Sequence, residues 1–480
     1  GGAAVTDLTG CQLFDRASVL NTGSNVPTTL DGTDIFSFDA PLTIPKGVVK
    51  TLSLKCDVAT AGTGNHIWSV NSGDTFNATG VTSGSDVTED VVTGSAGTMS
   101  INTGSLAVSV DSSSPSYTIA AGGSAGVTAG VLNLLATNES INLTKLGLKL
   151  TNVASSSPTD LISVSIYDGG TLVGTAVFTG ANTSATSTLD VMVNLPKDTD
   201  KTLTVKASLA DIGSSQPGTE GHLIAIDPEN AEGNGLASGT TIQSGATAGV
   251  AGVRLFNTFP TLAQDTLGST GLADGRLIRF KVTANSSGPV GIYQFSFKVA
   301  TTSATVTNTG LYAYTDSAYS QPISGQGTSG QIGTTVDPSA QQTNTTFEIA
   351  AATSQVTIPA GATYYFELRG SVAGVTTGSS VVTTFEGDSS YPAGHTLLTS
   401  CNAGVGVGSV VCNSTSGNGI ASSSLSAFVA STTAIDADTN DSFIWTPNAT
   451  TTVGFTANDW TNGYSILGLP SSGIIQTRSN

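Results

Sequence analysis

Asp436, Asp438, Asn440 and Asp441 fall at nearly alternate positions, the spacing with which a bent backbone turns several oxygen ligands toward one hard cation. The chemistry this implies is calcium binding. The run lacks the loop glycine and distal bidentate glutamate of an EF-hand, and a solvated acidic loop would look the same. Four cysteines offer a second chemistry. Cys11 and Cys56 lie on the inward phase of alternating segments, suited to a disulfide across a core, and Cys401 and Cys412 bracket the Gly-rich stretch CNAGVGVGSVVC, suited to a closed loop. Four buried free thiols are the alternative, and no spacing fits zinc. His66 in GNHIW and His222 in EGHLI occupy matching places after two related blocks, as scaffold residues would. Gly122, Ser124 and Gly126 satisfy GxSxG, but they stand between two β-like runs and not at the strand-to-helix turn that a nucleophile elbow requires. No P-loop, HExxH or CxxC is present. The expectation is a protein that is not an enzyme.

The elements that must position these residues are strands. Short runs such as SLAVSVD from Ser105, AGVLNLLAT from Ala129, LTKLGLKLTN from Leu143, ISVSIYD and KTLTVKASLA alternate apolar with polar residues, bounded by Gly, Ser, Asn or Pro. Helical periodicity is nearly absent. Alternation places Val164, Ile166, Leu203, Val205 and Ala207 on one face and Ser163, Ser165, Thr202, Thr204 and Lys206 on the other. The fold class expected is all-β, built of tandem immunoglobulin-like antiparallel β-sandwiches.

Organisation follows from an internal repeat. TDLTGCQLFD…LTIPKGVVKTLSLKCDVA, from Thr6 to Ala59, is rewritten as TDLISVSIYD…VNLPKDTDKTLTVKASLA, from Thr159 to Ala210, and more loosely from about Thr307 to Val375. Copies two and three follow roughly fifty residues of further strand-like sequence, whereas copy one follows Gly1–Val5. The expected division is a partial sandwich at 1–95, a complete sandwich at 100–245, another at 250–395, and a C-terminal extension at 396–480 with the second cysteine pair and an aromatic segment. Gly- and Ser-rich stretches at 80–104 and 239–252 read as short linkers between units in line. A first unit incomplete within this chain implies either processing of a longer precursor or strands donated by a neighbour, with Ser442–Gly473 as the candidate donor. Within that segment Phe443, Trp445, Phe455, Trp460 and Tyr464 would either close the last core or anchor a contact between subunits.

Composition narrows the partners. The chain has 480 residues, of which 10% are charged, and its 34 acidic against 16 basic side chains give a net charge of −18. Binding a polyanion depends on clustered Lys and Arg, so no nucleic-acid partner is expected. No transmembrane run is visible.

From SLAVSVDSSSPSYTIAAGG through LPKDTDKTLTVKASLADIG, AGVRLFNTFPTLA, GLADGRLIRFKVTA and FELRGSVAGV to FIWTPNATTT and DWTNGYSILGLPSSGIIQTRS, the chain resembles large surface proteins of candidate phyla radiation (Patescibacteria) bacteria. The resemblance covers roughly Ser105 to the end. It implies exported proteins with immunoglobulin-like repeats, some forming surface layers, and it supplies no catalytic residues. The resulting expectation is an extracellular structural protein that polymerises with itself at a bacterial cell surface, as a layer or filament, with calcium the candidate cofactor and strand donation between subunits a candidate mode of assembly. The alternative is an adhesin or carbohydrate-binding protein whose aromatics, such as Trp68, Tyr319, Trp445 or Trp460, stack on cell-envelope glycan.

Overall fold

The computed structural model describes residues 4–28, 30–59, 62, 64–70, 76–92, 94–95, 97–116, 118–152, 156–245, 249–338, 346–389, 425, 441–449, 454–457 and 459–480. These residues form antiparallel sheets joined by turns and short 3-10 segments. The all-β expectation holds.

The second unit is a two-sheet sandwich. One sheet runs Thr171–Ala176, Leu161–Asp168, Asp200–Leu209, Val127–Thr137, Ser105–Val110; the other runs Ser184–Leu195, Ile141–Leu150, Ile226–Gly235, Thr241–Gly245. The alternating residues converge between them. Val164, Ile166, Leu203, Val205 and Ala207 are buried in one cluster with Leu132, Leu134, Leu146 and Leu148, and Val164 lies directly opposite Ala207 in the ladder. Thr241–Gly245 pairs with Ile226–Gly235, so part of the expected linker at 239–252 is a strand of this unit.

The third unit repeats the plan. Its first sheet runs Pro260–Gln264, Arg276–Ala284, Thr363–Ala373, Thr305–Tyr314, Gln331–Val336, and its second runs Thr346–Ala350, Val290–Thr302, Ser380–Phe385, Ile474–Ser479. The Gly-rich insertion after Ser324 contributes the strand Gln331–Val336. Aromatic packing fills the core: Phe280 stacks on Phe366 with ring centroids 5.2 Å apart and on Phe385 at 4.6 Å.

The described residues of 441–480 do not stand as a separate extension. Phe443–Thr446 pairs with Val290–Thr302, and Ile474–Ser479 pairs with Ser380–Phe385, so both belong to the third sandwich. The expected boundary between 395 and 396 is corrected on that ground. Asp388 supplies the local reason: its buried carboxylate accepts N–H groups from Ser442 at 2.8 Å, Phe443 at 3.3 Å and Gly463 at 2.7 Å, fastening the returning chain where the strand Ser380–Phe385 ends. Asp459 accepts from Thr446 Oγ1 and the Ala449 N–H in the same way.

Units two and three are stitched, not strung. Val253–Phe256 pairs parallel with Thr118–Ala121 and antiparallel with Leu223–Ile224. Because side chains alternate along a strand, Val253, Leu255 and Ala120 enter the second core while Phe256 and Ile119 pack on the third. Phe256 meets Trp445 at 5.1 Å between centroids.

Trp445 is fully buried and its indole N–H reaches the Asn462 carbonyl at 2.7 Å. Trp445→Ala is expected to cost about 3–5 kcal/mol, as large aromatic truncations in cores do. Amide exchange would show faster opening of Val290–Thr302 with the strands of 127–209 little changed. A variant that kept the third unit's protection and lost only self-association would place Trp445 between subunits instead.

Candidate functional site

The first unit can be read against the second position by position, because the same contacts recur. Lys201 Nζ binds Asp168 at 2.8 Å, and Lys50 binds Asp15 at the matching positions. Lys206 lies 4.7 Å from the Tyr167 ring centre and Lys55 4.4 Å from that of Phe14. The third unit keeps the geometry with other residues, Arg369 lying 5.0 Å from Tyr312. In all three the aromatic residue faces the position two before the cation in the ladder: Phe14 opposite Ser53, Tyr167 opposite Thr204, Tyr312 opposite Glu367. His222 Nδ1 meets the buried Asp160 carboxylate at 2.6 Å, and that carboxylate also accepts the Ser157 and Thr219 N–H groups. In the first unit His66 lies 3.9 Å from Asp7. The two pairs sit at matching ends of the first and second units.

Cys11 and Cys56 form a disulfide, at the positions where the second unit opposes Val164 and Ala207. The substitution makes covalent what is elsewhere a packing contact. Around it lies a small cluster of Leu8, Cys11 and Leu30 with Phe36, Leu54, Trp68 and Ile101 against it.

The difference between the units is coverage. The first unit has a three-stranded sheet in the order Ser18–Val19, Leu8–Asp15, Leu52–Val58, beside two short pairings, Gly64–His66 with Met99–Ile101 and Ser69–Val70 with Gly94–Ser95; among the described residues Leu52–Val58 has a strand on one side, whereas its counterpart Asp200–Leu209 is flanked on both. Leu52 is 36% exposed against 0% for Leu203, Val58 48% against 0% for Leu209, and Ile44 60% against 0% for Leu195. Most of the large apolar side chains left exposed among the described residues lie before residue 100, including Ile35, Val49, Ile67 and Val81.

Two polar clusters escaped the sequence reading. On the outer face of the third sandwich the fully buried Glu367 carboxylate receives Arg279 and Arg369, with Arg276 at 3.6 Å. Arg279 also lies 3.7 Å from the Tyr319 ring centre, while the Tyr319 hydroxyl donates to Asp265 at 2.7 Å. The outward phase of RLIRFKVTA and FELRG carried the hint, but which strands adjoin was needed to join them. At the junction Glu220 accepts the Asn257 N–H at 3.0 and 3.2 Å. The Glu220 residue retains some exposure, yet its carboxyl is enclosed, and that desolvation together with the negative charge of Asp459 pushes its pKa well above the usual 4.5.

The expected site residues divide as follows. Cys401, Cys412, Asp436, Asp438 and Asn440 lie outside the described residues. Asp441 is described, and its carbonyl accepts from Gln294 Nε2 at 2.9 Å. Phe443, Trp445 and Trp460 are buried, and Phe455 and Tyr464 pack against the same cores, so the described residues of 442–473 pack within the third unit. Of the aromatics considered as sugar platforms, Tyr319, Trp445 and Trp460 are buried and Trp68 is half-buried. Ser124 sits in a turn between Thr118–Ala121 and Val127–Thr137, a strand-to-strand connection without the helix an elbow needs. Among the described residues no helix is long and apolar enough to cross a membrane.

No family model matches the chain, and no curated relative does. Among solved structures, one described as manganese lipoxygenase of Gaeumannomyces graminis with partial zonadhesin of Komagataella pastoris is 11% identical, covering 58% of this chain and 87% of that one with a TM-score of 0.15. The M60 catalytic domain with CBM51 domains of Clostridium perfringens ZmpB is 9% identical, covering 65% and 40%, with a TM-score of 0.12. Overlap this slight carries no functional argument.

Removing Glu367 takes the shared acceptor from Arg279, which is 19% exposed, and from the more exposed Arg276 and Arg369, so Glu367→Leu is expected to cost the third unit about 1–3 kcal/mol. Chemical denaturation followed by tyrosine fluorescence would measure it; a loss below about 1 kcal/mol would show that the three arginines are satisfied without the acid. For Glu220 the folded state holds its proton more tightly than the unfolded one. Its contribution is therefore complete below about pH 4.5 and is lost as pH rises through the elevated value. Thermal unfolding across that range should show stability falling with pH, and Glu220→Gln should flatten the fall. An unchanged slope in the variant would assign the dependence to other groups.

Proposed function

We propose that this chain is an extracellular structural protein of a bacterial cell surface, acting without catalysis and associating with copies of itself into a layer or filament. The observation that carries the reading is the contrast between matching positions: apolar side chains sealed inside the second unit stand open in the first. Leaving Leu52, Val58 and Ile44 in water forgoes roughly 25 cal/mol for each Å² of apolar surface, which association would recover. The disulfide fits an oxidising exterior, where such bonds persist. The stitched junction suits a load-bearing rod, because adjacent sandwiches share a strand and do not swing on a free linker. The resemblance to exported surface proteins of candidate phyla radiation bacteria points the same way.

Purified chain, with and without added calcium, is expected to form oligomers whose mass in light scattering grows with concentration, and to give sheets or fibres in electron micrographs. A chain that stays monomeric at millimolar concentration under both conditions would defeat the reading.

A further inference from the structure

We propose that a cleft on the third sandwich binds a neutral sugar residue, a hexopyranose unit of a cell-surface glycan. Sugar uptake there does not depend on self-association. The cleft holds about 430 Å³ between the turn 323–326, the hairpin residues 354–357 and the start of Thr363–Ala373. Small-molecule sites commonly measure about 300–1,000 Å³. Its floor is apolar: Ile323 and Val356 are buried, and the half-buried Tyr364 packs against the third core. Its walls carry amides and hydroxyls from Gln326, Ser354, Gln355 and Thr357, and among the described residues none that lines it is charged. That combination selects the ligand. An ionic group would give up its water with no opposite charge to meet, whereas a pyranose offers C–H groups to an aromatic ring and hydroxyls to amides that both donate and accept.

The walls are set before a ligand arrives. Gln326 Nε2 donates to the Ser354 carbonyl at 3.0 Å and to its hydroxyl at 3.3 Å, and Ser354 Oγ donates to the Gly325 carbonyl at 3.3 Å, which ties the turn to the hairpin. Gln355 Nε2 donates to Asn448 Oδ1 at 2.8 Å, and Val356–Ile358 pairs with Val290–Thr302, so the hairpin rests on the sheet. Walls fixed in this way leave little ordering to be done on binding. Two polar groups of the lining residues remain over. Gln355 Oε1 is enclosed and accepts no hydrogen bond among the described residues, a deficit worth about 1–3 kcal/mol. Burial alone, with no hydrogen bond contributing, raises the pKa of the Tyr364 hydroxyl above its usual value. Sugar hydroxyls supply a donor to the first and an acceptor to the second.

Saturation-transfer NMR on the full chain tests the site, with glucose, galactose, mannose and N-acetylglucosamine as neutral probes and glucuronate as the charged comparison. At least one neutral sugar should bind with millimolar affinity, and glucuronate at least about tenfold more weakly. Added salt should leave the affinity unchanged, because no charged group lines the cleft. Tyr364→Leu keeps apolar packing but removes the ring and the hydroxyl, and should weaken binding at least about tenfold. Ser354→Trp fills the cleft from an exposed position and should abolish binding with the third unit still folded, while Met192→Ala, at an exposed position on the second unit, should bind as the unaltered chain does. A chain that takes up no neutral sugar at up to about 100 mM, that binds glucuronate equally, or that binds unchanged after Ser354→Trp overturns the proposal. Light scattering on the same samples reads self-association on its own. Sugar uptake by a chain that stays monomeric supports the cleft and defeats the self-association reading alone; a chain that assembles but takes up no sugar does the reverse.

Discussion

Every strand in a sandwich must meet two demands at once: its N–H and C=O groups need a neighbour in the plane of the sheet, and its apolar face needs a second sheet opposite. The arrangement of this chain follows from that double requirement. In the second unit Asp200–Leu209 has neighbours on both edges and a facing sheet, and its alternate side chains are sealed. In the third unit the facing sheet is completed by residues that return from the far end of the described chain, Phe443–Thr446 and Ile474–Ser479. Among the described residues the first unit meets half of each demand, and a covalent bond joins two of its strands.

Buried acids do the fastening where strands arrive from distant sequence. Asp388 gathers three N–H groups from two separate segments, Asp160 gathers two and a histidine, and Glu367 holds arginines from two strands. Each is an acceptor on which several donors converge, and for the buried backbone N–H groups the loss of that acceptor would cost about 1–3 kcal/mol each. This gives a sparsely charged chain a specific use for its few internal charges.

Alternation made the strands and their inward faces legible beforehand: Val164, Ile166, Leu203, Val205 and Ala207 are buried as the pattern demands, and the in-phase placement of Cys11 and Cys56 anticipated their bond. What alternation cannot express is adjacency. FIWT carries no mark that it will lie beside GIYQF, so the C-terminal segment read as an extension and as a donor. The same blindness hid Glu367, whose partners Arg276 and Arg279 sit in a strand far away in sequence, and the double allegiance of Val253–Phe256, which read simply as the start of the third unit.

The bond between Cys11 and Cys56 has a mechanical consequence. Tension applied along the polypeptide crosses from one sulfur to the other and never enters the residues between them, which span a sequence separation of 45. At about 3.3–3.6 Å of contour per residue, roughly 150 Å of chain is withheld from extension. Among the described residues it is the N-terminal unit whose extension under load a covalent bond limits, while the described parts of units two and three resist by shared hydrogen bonds that can yield and re-form.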